Sequence, residues 1–462
     1  MISRDKLIPI IVAFPLFLQN MDSSVMTTAL PNIARSLDVD VLHLNLAVTS
    51  YLLSLAVFLP LSGWLADRFG PKRVFCAAIA CFATASALCG AAQSLGALVF
   101  FRICQGMGGA LMVPVGRLIL LRSTPANAMV AAMVWFTVPP AIGRMIGPLI
   151  GGAIVTWTSW RWIFLINVPL GALGIVLAML FLEDHRERPS GQAFDLSGFL
   201  LLAFGLTSVM GGLETAGKGI VSGWLTGGIV AFGAALLGLY VRSSLRKAEP
   251  IIDLRILRFQ TFRASNVGAV PLRIALGASP FLLPLMFQLG FGLTPLDSGL
   301  LTMATAVGSI ATRTVMQGVL RRVRFRSVLM ATTILSSLFY MSYGLFRPDT
   351  PHAVIFGTLL FGGLVNSMGM VSLATLGFAS IERPLMSHAT ALTTIAQQVT
   401  LSAGVVLAAA LVSAAASWNG DAPSTLSAHS FTPAFLVIGS MTLLSLLSFS
   451  RLKPDDGAEL RP

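Results

Sequence analysis

The stretch "GWLADRFGPKR", Gly63 to Arg73, is a four-charge island between two apolar runs. Asp67, Arg68, Lys72 and Arg73 carry the charge, and Gly70-Pro71 breaks any continuing helix. The runs on either side, 45–66 and 74–94, each have the roughly 20 residues needed to cross a hydrocarbon core. So the stretch reads as a tight turn between two membrane helices. A second junction, "GVLRRVRFRSV" from Gly318 to Val328, also begins Gly-x-Leu at the end of an apolar run and turns basic. It lacks the aspartate. Two such junctions predict a chain built from related halves.

Working outward, fourteen apolar stretches emerge, near 8–32, 45–66, 74–94, 97–121, 128–154, 162–182, 196–214, 222–241, 263–289, 297–319, 327–346, 353–379, 387–416 and 431–450. The predicted architecture is an all-α integral membrane protein with six spans, two inserted spans and six more. Residues 1–182 form an N-terminal six-helix bundle. Residues 183–260 hold the polar linkers and the inserted pair. Residues 261–450 form the second bundle, and 451–462 a tail. The start, "MISRDKLIPIIVAF", runs on without a small-residue cleavage site and reads as a retained first helix.

Composition agrees. The chain has 462 residues, 55% hydrophobic and only 11% charged, against roughly a quarter charged in soluble domains. The net charge of +12 would suit nucleic acid in a polar chain. Here 22 of the 31 Lys and Arg fall on one set of alternate loops and only 4 on the other, with the remaining 5 inside spans. That asymmetry is a positive-inside pattern. It puts both termini in the cytoplasm and gives the basic clusters a topological role instead of a DNA-binding one. Cys76, Cys81, Cys89 and Cys104 lie in apolar segments without a C-x-x-C pair and read as packing residues. Gly212-x4-Gly217-Lys218 lacks the Ser or Thr of a phosphate loop. No nucleophile motif or His/Cys cluster is present, so enzymatic chemistry, a metal and a cofactor are not expected.

The stretch "PLFLQNMDSSVMTTALPNIA", Pro15 to Ala34, puts Asp22 in the middle of a span. A carboxylate far from water is costly unless paired, protonated on demand or facing a wet cavity. Five arginines also lie within spans: Arg102, Arg117, Arg144, Arg273 and Arg313. Arg117 and Arg313 are near enough to span ends to snorkel. Arg144 and Arg273 are deeper, and Arg144 is a candidate ion-pair partner for Asp22.

Several motifs in order resemble the major facilitator superfamily, within it the fourteen-span drug:H+ antiporter-2 group. They are "MDSSVMTTALPNI" (Met21 to Ile33), "GWLADRFGPKR", "RICQGMGGA" (Arg102 to Ala110), "GRMIGPLIGG" (Gly143 to Gly152), "SWRWIFLINVPLG" (Ser159 to Gly171) and "FDLSGFLLL" (Phe194 to Leu202). The resemblance covers essentially the whole chain. It implies the major facilitator fold, antiport by alternating access, and a bacterial inner-membrane location. It also implies a cytoplasmic gate at Asp67, Arg68, Lys72 and Arg73, and a part for Arg102 in proton coupling. The residues themselves allow a solvated turn that only sets topology. Gly63 would let two helices approach closely. Gly143, Gly147, Gly151 and Gly152 give a smooth helix face that Pro148 can kink, suited to a seal or to plain packing. Arg144 departs from the family pattern, which has an apolar or small residue there.

One acid cannot neutralise several arginines, so the cavity should carry net positive charge. Guanidinium groups pair bidentately with carboxylates. The expected substrate is therefore an organic anion or a metal–carboxylate chelate, exported in exchange for protons. Asp22 and Arg102 would couple the proton. Arg144, Arg273, Arg117, Arg313, Gln19, Asn20, Gln105, Gln288 and Asn366 would contact substrate. The alternative is a broad multidrug:H+ antiporter, for which 19 Met and 29 Phe could line an adaptable cavity. Expected partners are the substrate, protons and membrane lipid, with the chain a monomer.

Overall fold

A computed structural model describes residues 4–41, 43–123, 129–183, 194–215, 222–247, 250–379, 381, 385–421, 426–453 and 456; among them helices are joined by short turns, without a strand. Hydrocarbon offers no partner to backbone N–H and C=O groups, so such a chain must satisfy them within helices. Among the described residues, ten helices are long and apolar enough to cross a membrane.

The first bundle holds α1 (Arg4–Leu37), α2 (Asn45–Phe58), α3 (Leu61–Phe69), α4 (Pro71–Ala91), α5 (Leu95–Ser123), α6 (Met129–Trp157), α7 (Trp162–Leu165) and α8 (Asn167–Phe181). The expected span at 45–66 is thus two helices, broken at Leu59-Pro60, because proline cannot donate to the ladder. Next comes a hairpin of α9 (Leu196–Thr215) and α10 (Gly223–Arg246). A 3-10 turn (Leu254–Arg258) and α11 (Gln260–Arg263) lead into the second bundle: α12 (Val270–Leu285), α13 (Pro295–Arg322), α14 (Phe325–Tyr343), α15 (His352–Ala379), α16 (Met386–Asn419), α17 (Ala428–Thr442) and α18 (Ser445–Phe449). A π turn flanks α12 on each side, Ala264–Gly268 and Met286–Gly290.

The core shows how the bundles meet. At the end away from the N-terminus, one cluster runs through both bundles. It includes Met21, Val25, Leu30 and Ile33 of α1, Phe281 and Leu285 of α12, Tyr340 of α14 and Val412 of α16. At the other end the core divides. Ile11, Leu16, Leu55, Phe75 and Ile119 belong to one cluster, which α16 joins through Ile395. Leu272, Met316, Phe325, Leu329 and Phe449 belong to another. The two bundles are welded at one end and largely separate at the other.

The weld needs glycine. A Cβ at Gly152 of α6 would lie 2.5 Å from the Pro295 carbonyl oxygen of α13. A Cβ at Gly299 of α13 would run into the Pro148 carbonyl oxygen of α6. Gly143, Gly147 and Gly151 form the neighbouring face of α6 and sit against Phe17, Ser24 and Val25 of α1. Gln288, in the second π turn, donates to the Thr28 carbonyl oxygen of α1 at 2.9 Å. Gly63 behaves differently: nothing lies within 4 Å of its Cβ position. The close approach expected there is absent in this conformation, because Gly63 is at the end where the bundles are apart.

The hairpin is locked at its base. The Asp195 carboxylate, just before α9, accepts from Lys247 Nζ at 2.5 Å, from the Gly198 N–H at 2.9 Å and from the Ile251 N–H at 3.3 Å. Burial works against ionised Asp195, but these donors together with Ser197 outweigh it and hold the carboxyl below the usual carboxylate range. Phe199 of α9 meets Phe58 of α2, with ring centroids 6.3 Å apart, which seats the hairpin on the first bundle.

Candidate functional site: a buried ion pair between helices

Asp22 lies in the third quarter of α1 and is 3% exposed. Its partner is not Arg144. Arg102 Nη1 of α5 donates to Asp22 Oδ2 at 2.7 Å, and both side chains are 1% exposed. Arg144 follows Gly143, which packs on α1; its side chain is exposed, and its backbone carbonyl accepts from Ser24 Oγ of α1. Spacing along the chain could not choose between the two arginines, which lie on different helices.

The pair sits in a shell of neutral donors and acceptors. Arg102 Nη1 also donates to Gln105 Oε1 at 2.7 Å, and Arg102 Nε donates to the Ala47 carbonyl oxygen at 3.1 Å. The guanidinium carbon stands 4.3 Å from the centroid of the Tyr51 ring. Gln105 Nε2 donates to Asp22 Oδ1 at 3.0 Å, and Asn167 Nδ2 of α8 donates to the same oxygen at 2.7 Å. Asn167 Nδ2 also reaches Ser86 Oγ of α4 at 3.0 Å, and Ser86 Oγ donates to the Phe164 carbonyl oxygen at 2.9 Å. Five helices of one bundle and the α7 turn therefore converge on one carboxylate. Such a charge is affordable in low dielectric only with this degree of pairing. It is also the kind of group whose protonation must rearrange its neighbours.

The other sequence-predicted residues are dispersed. Gln19 is buried one turn before Asp22, and Asn20 donates to its own helix at Leu16. Arg273 of α12 is 3% exposed, and its nearest described acceptor is Asn266 Oδ1 at 3.4 Å. Arg117 is half-buried on α5, and Asn366 is buried on α15. Gln288 serves the weld. The side chains of Asp67 and Arg313 lie outside the described residues. Arg68 stands 5.5 Å from the Trp64 ring, and Arg73 is exposed. Lys72 Nζ donates to the Met179 and Leu182 carbonyl oxygens, at 2.9 and 2.5 Å. It caps the end of α8 in its own bundle. Asn167, Ser86 and Tyr51 were not singled out in the sequence. The signal for Asn167 was there, a lone amide in the apolar run "FLINVPLG".

The profile of the Major Facilitator Superfamily matches residues 12–405. A relative from Salmonella dublin, "Putative multidrug resistance protein MdtD", is 35% identical over 448 residues, 96% of this chain and 94% of that one. The same-named protein of Salmonella typhimurium strain LT2 gives the same figures. Among solved structures, a D-xylose–proton symporter superposes with TM-score 0.69 at 15% identity, covering 98% of this chain and 99% of that one. A bacterial homologue of the human lysosomal transporter Spinster gives 0.67 at 14%, covering 97% of each. The helical architecture, the motifs and these matches agree: the chain belongs to the major facilitator superfamily.

Proposed function

We propose that the protein is a proton-coupled multidrug exporter working by alternating access in a bacterial inner membrane, with fourteen spans and both termini cytoplasmic. The observation that carries the coupling is the buried Asp22–Arg102 pair, a carboxylate held between helices deep inside one bundle. The multidrug substrate range is supported by the relatives described as multidrug resistance proteins. The fourteen spans add four segments to the ten helices: α2 with α3, α6, α13 and α14, of which Asn45–Phe58 and Ile142–Trp157 are apolar but shorter. Under the positive-inside pattern, the open end faces the cytoplasm and the weld faces outward. Asp67, Arg68, Arg73 and Gly63 then serve the cytoplasmic gate, Lys72 of the same motif holds the end of α8 in its own bundle, and Gly143, Gly147, Pro148, Gly151 and Gly152 form the outer seal. The test is proton release from acid-loaded everted vesicles on adding ethidium. Wild type discharges the gradient and Asp22→Asn does not; full discharge by the variant sinks the coupling role.

A second reading, export of an organic anion or metal–carboxylate chelate, is favoured by the arginines. Arg273 is buried and Arg117 half-buried, and neither has a carboxylate partner among the described residues. Exchanging one proton inward for one anion outward moves two positive charges inward, about 4.6 kcal/mol at 100 mV. Di- and tricarboxylates, with and without iron, form the second arm of the vesicle assay. Discharge by these and not by ethidium would select this reading and make Arg144, Arg273, Arg117 and Arg313 the substrate contacts, with Gln19, Asn20, Gln105, Gln288 and Asn366 as lesser ones.

A further inference from the structure

We propose that Asn167 is the positioning residue that reads the protonation state of Asp22, turning its side-chain amide from donor to acceptor when the carboxylate takes a proton. This rests on the reading of Asp22 as the proton carrier.

The geometry is one-sided. Asp22 Oδ1 accepts from two neutral amides, Gln105 Nε2 and Asn167 Nδ2, while Oδ2 accepts from Arg102. Every described contact to the carboxylate is thus an N–H donor, an arrangement that suits an anion only. A protonated Asp22 carries an O–H of its own, and that O–H needs an acceptor.

Two of the three donors cannot turn. The Arg102 guanidinium has no acceptor atom at all. Gln105 is held at both ends, since its Oε1 accepts from Arg102 and its Nε2 donates to Asp22. Asn167 is different. Its Nδ2 makes both of its hydrogen bonds, to Asp22 and Ser86, while its Oδ1 is buried with no partner. A half-turn of the amide would present Oδ1 to the new O–H. An orphaned buried acceptor is costly, so the anionic state carries a penalty that the protonated state relieves.

The turn would be felt beyond Asp22. Ser86 loses the amide donor, and its hydroxyl is the one bound to the Phe164 carbonyl oxygen in α7. Asn167 itself opens α8 directly after the α7 turn. The proton is thereby linked to the α7–α8 junction. Among the described residues, the titratable groups facing Asp22 are Arg102 on α5, Tyr51 on α2 and Cys89 on α4.

The test is infrared difference spectroscopy on the purified protein in lipid nanodiscs, which needs no substrate. The Asp22 signal is the carboxylic C=O band that appears on acidification and is lost in Asp22→Asn. Asparagine side-chain carbonyls are labelled with 13C, and Asn167→Ser identifies the Asn167 band. The expected result in wild type is an Asn167 carbonyl band that moves to lower frequency in step with the Asp22 band. In Asn167→Leu, the O–H of protonated Asp22 has lost its acceptor, so the Asp22 C=O band should lie at higher frequency than in wild type. Asn167→Ser, whose hydroxyl can donate or accept, should reverse most of that shift. An Asp22 band that titrates while the Asn167 carbonyl stays still overturns the inference and leaves Asp22 as carrier. Absence of any band sensitive to Asp22→Asn overturns both.

Discussion

Asp22 and Arg102 are separated by 80 residues in the chain and by 2.7 Å in the fold. Removing either partner leaves the other as a buried group without its complement, which costs about 3–5 kcal/mol. Asp22→Asn and Arg102→Gln should each lower the thermal stability clearly. The double variant should be less destabilised than the sum of the two, by about 2 kcal/mol. Proton-driven transport should be absent in all three. Strict additivity in a thermal or denaturant cycle would mean that the pair contributes no coupling energy, and the site would lose its physical basis.

Gly299 and Gly63 should act in opposite directions. A side chain at Gly299 runs into the Pro148 carbonyl, so Gly299→Leu wedges the weld apart. A side chain at Gly63 meets nothing here, so Gly63→Leu leaves this conformation alone and hinders only one in which the open end closes. A cysteine placed at Thr28, beside the weld, reports the balance through labelling by a membrane-impermeant maleimide. Labelling should rise about tenfold or more with Gly299→Leu, the effect of a bias of about 1.4 kcal/mol. It should fall or stay low with Gly63→Leu. Equal labelling in both folded variants would contradict the two-ended rocking of the bundles.

The Asp195–Lys247 clasp makes a pH prediction. The folded carboxyl titrates below the ordinary carboxylate value. Its stabilising contribution is therefore complete above about pH 4 and is lost only as pH falls through the folded value. Asp195→Asn should speed amide exchange at Ile251, whose N–H donates to Asp195, by about tenfold. That difference should be constant from pH 5 to 8 and shrink below about pH 4. A difference that varies across pH 5 to 8 would show that another group controls the clasp.

What the sequence could tell depended on how local each feature was. The apolar runs and basic turns are local, and they led to the helices and to the two-bundle plan. Asp22 was legible because one acid in an apolar span has no ordinary explanation. Its partner was not, because Arg102 and Arg144 present the same chemistry and only the packing of α5 against α1 decides between them. Asn167 and Ser86 were hidden for a different reason: a single amide or hydroxyl in a span commonly just bridges helices. The division of the core, welded at one end and split at the other, is a property of one conformation and has no counterpart in sequence. The same holds for Gly63, a close-approach glycine that here faces open space.

Lys72 shows how a gate-motif residue can do structural work. The two carbonyl oxygens that it meets, those of Met179 and Leu182, are at the C-terminal end of α8, where the helix leaves its last carbonyls without partners and carries partial negative charge. Both are in the same bundle as Lys72, so the contact should persist while the bundles rock against each other. Lys72→Met removes the charge and both donors and keeps the stem. It should lower stability by about 1–2 kcal/mol. Lys72→Arg, which keeps the charge and the donors, should recover most of that loss. The maleimide labelling at position 28 should be unchanged by either substitution. If Lys72→Met instead leaves thermal stability intact and changes the labelling, the lysine belongs to the gate and not to the frame of the bundle.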